Sequence, residues 1–162
     1  MNTVRVLFTV ILAGGILAGC APKGEPPEQM IAAAKELDKA FLEAYNKGDI
    51  DGVMATYWNS PELVSYPPGA MEFRGWENVK AKLTEEFAMP QRGTLALAEP
   101  VYKVIGDVVI GYGKWRYTIP IPNGEPITID GRYTGVTMKK DGKWVVVHDH
   151  ASAPMPPPPE AP

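Results

Sequence analysis

The polar residues best placed for chemistry sit together near the C-terminus, in the stretch K-W-V-V-V-H-D-H-A-S-A-P from Lys143 to Pro154. His148 and His150 are the protein's two histidines, and Asp149 lies between them. The β-branched and aromatic run Trp144–Val147 makes this stretch a strand. Alternation along a strand puts Trp144, Val146, His148, His150 and Ser152 on one face. Val145, Val147, Asp149 and Ala151 fall on the other. An imidazole titrates near neutral pH and serves as a general base or a metal ligand. The two histidines could therefore hold a metal with Asp130 as a third ligand, supply one general base, or simply bond to neighbouring strands. Asp149, set between valine and alanine on its face, is a semi-buried carboxylate that needs a partner or a raised pKa. Arg116 is the obvious partner, forming either an acid–base pair or an ion pair that fixes strand register. Tyr45, Tyr66, Tyr112 and Tyr133 can line a pocket and donate hydrogen bonds, or serve as half-buried core. No P-loop, dinucleotide fingerprint, nucleophile elbow or zinc-protease motif is present, and no cofactor is expected.

The elements that must position these groups follow from periodicity. Met30, Ala34, Leu37, Phe41, Ala44 and Tyr45 form one apolar stripe of a helix over 28–47, stopped by Gly48. Asp49 caps a short second helix bearing Ile50, Val53, Met54 and Tyr57. Leu63 to Tyr66 is a short strand, turned by Pro67-Pro68-Gly69. Trp76, Val79, Leu83 and Phe87 define a third helix. Four strands follow: 94–105 with Pro100 at a bulge or edge, 108–119, 127–138, and the last one after the Asp141-Gly142 turn. The layout is α+β, with the helices packed on one face of a curved antiparallel sheet.

Composition fits a single globular domain: 162 residues, 45% hydrophobic and 22% charged. A net charge of -3 and no dense Lys/Arg cluster give nothing to favour nucleic acid. One cysteine excludes an internal disulfide and a Cys-rich zinc site. Proline is concentrated in A-P-K-G-E-P-P after Cys20 and in the tail A-P-M-P-P-P-P-E-A-P. These read as a linker (20–27) and a Pro-rich disordered or polyproline tail (155–162) around a domain at 28–154.

Three separated segments carry a family resemblance: L-E-A-Y-N-K-G-D-I-D-G-V at 42–53, F-R-G-W-E-N-V at 73–79 and K-D-G-K-W-V-V-V-H-D-H-A-S-A-P at 140–154. They look like the SnoaL-like branch of the superfamily of nuclear transport factor two and ketosteroid isomerase. The last segment is also similar to the association domain of calcium/calmodulin-dependent protein kinase. The resemblance implies a cone, a curved sheet wrapped round three N-terminal helices, with a pocket at its open end and a homodimer across the outer face. The isomerase's tyrosine position is Phe41 here, and its aspartate position is Ser65 or Tyr66, so both lead roles lack their functional group. Of three pocket arginines in the kinase association domain, one matches Arg116 and the others match Gly135 and Ala151. That match turns Arg116 and the Asp149/Ala151 face toward the pocket, and the histidines outward. The resulting expectation is a pocket protein for a small, mostly apolar ligand. The alternatives are a cofactor-independent lyase, isomerase or hydrolase using Asp149 or a histidine as base, and an oligomeric assembly module.

The N-terminus is an address. Val6–Leu17 is an apolar segment of secretory length, too short to span a bilayer comfortably. It closes in L-A-G-C, which resembles the lipobox of bacterial lipoproteins. The resemblance implies a signal peptide over 1–19, a lipidated Cys20, and a membrane-anchored protein of the cell envelope, on the periplasmic face of the outer membrane in a two-membrane cell. Two or more acyl chains anchor stably where one does not. Cys20→Ser is expected to release the protein from membranes or leave it as uncleaved precursor; unchanged processing and membrane association on fractionation would refute the lipid anchor.

Overall fold

The computed structural model describes residues 24–154; the segment expected to be a signal peptide, Cys20 and the tail beyond Pro154 lie outside the described residues. Helix α1 (Pro27–Lys47) starts on a proline, whose missing N–H costs nothing at the first turn, and ends on Gly48 at φ 75. Asp49 then caps α2 (Ile50–Met54) by accepting from the Gly52 amide at 2.9 Å. Strand β1 (Val64–Tyr66) pairs with a two-residue strand β2 (Phe73–Arg74), which leads through Gly75 into α3 (Trp76–Phe87). The long strands are β3 (Thr94–Ile105), β4 (Val108–Ile119), β5 (Ile127–Lys140) and β6 (Lys143–Ser152). Among the described residues no helix is long and apolar enough to cross a membrane.

The six strands form one sheet in the order β2-β1-β6-β5-β4-β3. The long strands pair antiparallel, but β1 runs parallel to β6, so the sheet is mixed. Asp141 and Gly142 both have positive φ, as the tight β5–β6 hairpin requires. Pro100 falls in the β3 irregularity between Ala98 and Val101, where its missing N–H interrupts no ladder bond.

A second irregularity overturns the simple alternation of the last strand. Val136 pairs with His148, but the next β5 residue, Thr137, pairs with Val146. Val147 is the extra residue of a β-bulge, and it shifts the side-chain phase by one. Trp144 and Val146 therefore share the helix-side face with Asp149 and Ala151, while His148, His150 and Ser152 take the opposite face. Packing agrees: Val146 and Trp144 both lie against the buried core.

Following the register across the sheet, Ser65, Asp149, Gly135, Gly111 and Tyr102 form one row on the helix side. The next row toward the strand ends contains Ala151, Tyr133 and Gly113. Helix α1 crosses this face. Met30 and Ala34 pack on Val109 and Trp144, whereas Ala44 and Tyr45 join Val53, Met54, Tyr57 and Leu63 in the larger core.

Glycine has three different uses on this face. Gly111 and Gly113 lie under the rings of Tyr102 and Tyr133. Gly131 lies under the Trp115 indole, where a Cβ would overlap both the ring and the Ser152 carbonyl. Gly135 has no atom within 4 Å of where a Cβ would sit. Gly131→Ala is expected to destabilise the fold by about 1–3 kcal/mol through overpacking. Gly135→Ala is expected to leave urea-unfolding stability within about 0.5 kcal/mol. Equal losses at the two positions would contradict this picture of the sheet face.

Candidate functional site

Asp149 is the centre of the helix-side network. Tyr57, on the segment that leaves α2, donates its hydroxyl to Asp149 Oδ2 at 2.7 Å. The pairing depends on Tyr57 bridging Val146 in parallel, which brings both side chains to the same face. Asp149 Oδ1 is closed to solvent and has no hydrogen-bond partner. Burial pushes the carboxyl above its ordinary value of 3.8. The Ser65 and Tyr57 hydroxyls, and more weakly the two flanking histidines, pull the other way. Ser65 favours the charged form without making a bond that satisfies Oδ1. The Tyr57 hydroxyl is itself pushed well above its ordinary value, first by burial and then by the Asp149 charge.

A second carboxylate sits at the other end of the same row. Asp38, on α1, accepts from Tyr102 at 2.7 Å and more weakly from Tyr133 at 3.5 Å. Burial raises its pKa, and the two tyrosines oppose that rise. Both tyrosine hydroxyls are shifted far upward, each by burial first and then by Asp38. The open position at Gly135 is directly across the strand pair from Asp149, and the Tyr57 ring packs edge-on to Phe41 with centroids 6.1 Å apart. Asp38 and Asp149 make no ion pair among the described residues.

The residues singled out from sequence are divided between the two faces. Asp149 and Tyr133 face the helices. Tyr45 does too, but as core: it donates to Glu86 and packs edge-on to Phe87 and Tyr117. Arg116 does not meet Asp149. It lies on Gly111's own strand, five residues further along and so on the opposite face, and forms a two-bond ion pair with its cross-strand neighbour Asp130 at 2.7 and 2.9 Å. Both partners are about 60% exposed, so the pair adds little to stability. Tyr112 is outward as well, beneath Lys103. Tyr66 is outward because it pairs with His150. The correction for Arg116, Tyr112 and Tyr66 has one cause: each is an even step away from an outward residue in a continuous register.

His148 and His150 flank Tyr66 on the outer face, with ring centroids 5.4 and 6.3 Å from it. His148 Nδ1 lies 3.0 Å from the Val64 carbonyl, which can only accept, so Nδ1 carries the proton. Tyr66 in turn donates to Glu72 at 3.1 Å. These groups border an open cleft of about 540 Å³ beside the Pro67–Met71 loop. No three His, Cys, Asp or Glu side chains converge on a metal site among the described residues, and Asp130 is committed to Arg116. In the cleft Tyr66, His148 and Ser152 have hydrogen-bond partners, whereas on the helix side Asp149 Oδ1 has none.

Three members of the helix-side network are not among the site residues singled out from the sequence: Asp38, Tyr102, and Tyr57, which reads there only as part of the second helix's apolar side. Asp38 carried a usable signal. It lies four residues after Ala34 and three before Phe41, so it interrupts the apolar stripe of α1 with a carboxylate.

A family model described as a SnoaL-like domain matches residues 35–156. The chain belongs to that family. The fold is also shared with solved structures. A nuclear transport factor 2-like superfamily protein from Salmonella enterica serovar Typhimurium superposes with a TM-score of 0.72 at 22% identity, covering 83% of this chain and 98% of that one. A candidate calcium/calmodulin-dependent protein kinase II association domain from Xanthomonas campestris gives 0.64 at 22% identity, covering 85% and 91%. A candidate dehydratase of the same fold family from Streptomyces avermitilis gives 0.69 at 17% identity, covering 80% and 100%. None of the curated proteins is similar enough in sequence to match. These likenesses establish the nuclear transport factor 2-like fold, and the chemistry has to come from the side chains above.

The raised carboxyls make a signed prediction. Asp149 and Asp38 hold a proton more tightly folded than unfolded, so each favours the native state fully below 3.8, the ordinary value. That contribution is lost as pH rises through the folded pKa. Asp149→Asn and Asp38→Asn cannot titrate, so each variant should gain stability relative to the parent as pH rises over that window. A variant-minus-parent difference in urea stability that is flat or falls with rising pH would contradict it.

Proposed function

We propose that this SnoaL-like domain binds a small, mostly apolar molecule between α1 and the helix-side face of the sheet. The observation that carries the reading is the enclosed, unpartnered Oδ1 of Asp149, next to the open position at Gly135. An unsatisfied buried carboxylate oxygen costs about 1–3 kcal/mol or more, and proteins retain such groups where a ligand or catalytic step uses them. Tyr57, bonded to Asp149, and Phe41, packed on Tyr57, supply apolar surface of the kind small-molecule sites use.

A second reading rests on the Tyr57–Asp149 bond. A carboxylate with an upward-shifted pKa and a hydroxyl donor beside it suits cofactor-independent proton transfer, with Asp149 as base and a tyrosine as electrophile. The exposed Val101 and Ile105, together with outward Ile110 and Val136, favour a homodimer across the outer face. We place the protein in the cell envelope, held by a lipidated Cys20 whose tether ends near Glu25. Glu25 bonds Lys139 at 2.9 Å and Trp144 at 3.4 Å, so the tether would arrive at the β5–β6 hairpin end.

Mass spectrometry of small molecules extracted from the purified chain tests the binding reading. The parent should retain a molecule that is depleted at least about tenfold in Asp149→Asn, the loss that roughly 1.4 kcal/mol of binding energy produces. Equal retention, or none by either protein, would count against the site.

A further inference from the structure

We propose that the polar handle of the bound molecule is a cation, an ammonium group seated over Gly135 between Asp149 and Asp38. This deepens the pocket reading and rests on it.

The argument is one of charge balance. Three tyrosine hydroxyls, from Tyr57, Tyr102 and Tyr133, all donate to carboxylate oxygens on this face. A donated hydrogen bond favours the ionised carboxylate. Burial raises both carboxyls on balance against these bonds, so a positive charge beside them would offset the cost of keeping them ionised in this partly enclosed setting. The cations nearest this face are engaged elsewhere. Lys35 lies 5.8 Å from the Tyr102 ring centre without pairing Asp38. Arg92 stacks 4.3 Å over Phe87 and donates to the Tyr45 carbonyl. Arg116, the residue whose type would suit Asp149, is on the other face with Asp130.

Asp149 Oδ1 is the second, independent pointer. It is sealed from bulk water, has no donor, and belongs to a side chain whose cross-strand neighbour on the same face is Gly135. The row Asp149–Gly135–Gly111–Tyr102 carries side chains only at its ends, and the Tyr102 ring covers Gly111. The unfilled position is therefore the one beside the orphaned oxygen. A neutral donor would satisfy Oδ1 as a hydrogen bond but leave the negative charge unbalanced. An ammonium group does both, and the Tyr57 ring, whose hydroxyl reaches Asp149, offers aromatic surface of the kind cations favour.

The test uses probes of one shape and three charges: phenethylamine, phenethyl alcohol and phenylacetate. Each is titrated calorimetrically into the full-length protein in detergent. The ammonium probe should bind at least about tenfold more tightly than the alcohol, and phenylacetate should bind worst. Asp149→Asn and Asp38→Asn should each reduce the amine-to-alcohol preference severalfold. Gly135→Val, whose side chain enters open space, should abolish binding while leaving the unfolding midpoint near that of the parent. If the alcohol or phenylacetate binds as tightly as the amine, the cation assignment is overturned and the pocket reading stands. If no probe binds and Gly135→Val changes nothing retained by the purified protein, both fall together.

Discussion

The β-bulge at Val147 is the constraint on which the rest of the site depends. Without it, a strand that buries Trp144 and Val146 against the helices would turn Asp149 to the outer face and His148 inward. One extra residue reverses that outcome. It lets the apolar start of β6 build core while its polar end still delivers a carboxylate to the same side. The partner strand β1 and the Tyr57 bridge attach on the far edge of β6 on either side of the bulge, at Val146 and from His148 onward. The donor for Asp149 is set by the same irregularity that turns Asp149 inward.

Two polar systems result, separated by the thickness of the sheet. On the outer face the groups are mutually satisfied: Arg116 with Asp130, Tyr66 with Glu72, His148 with the Val64 carbonyl. On the helix side, the tyrosines and carboxylates satisfy one another except at Asp149 Oδ1. Exposed pairs of the first kind contribute little and tolerate change. An enclosed, incompletely paired network of the second kind is costly to keep, which gives it a functional rather than a structural rationale.

Much of the fold was legible in the sequence because its signals are local. The stripe of α1, the Gly48–Asp49 stop and cap, the Pro100 irregularity and the Asp141-Gly142 hairpin all mark short-range backbone needs. Strand β2 was not legible, since two residues carry no periodicity. The parallel pairing of β1 with β6 was not either, because register between distant segments leaves no local mark. The site was legible only in part. Asp149 stood out as a carboxylate among apolar neighbours. Arg116, its expected partner from a matched position, opposes Asp130 in the strand register and so faces the other way. The true donor, Tyr57, sits 92 residues away in sequence, and only the folded chain joins them. The face of the histidines came from alternation broken by one residue, and a bulge of that kind has no signature in V-V-V-H.

The central claim is that the enclosed oxygen of Asp149 is there to meet a ligand. A high-resolution crystal structure of the protein as purified from cells tests it most directly. The account predicts density for a non-protein organic molecule over Gly135, with an atom about 2.7–3.2 Å from Asp149 Oδ1. A structure in which a protein side chain fills that space, or Oδ1 is satisfied by Ser65 alone, would contradict it.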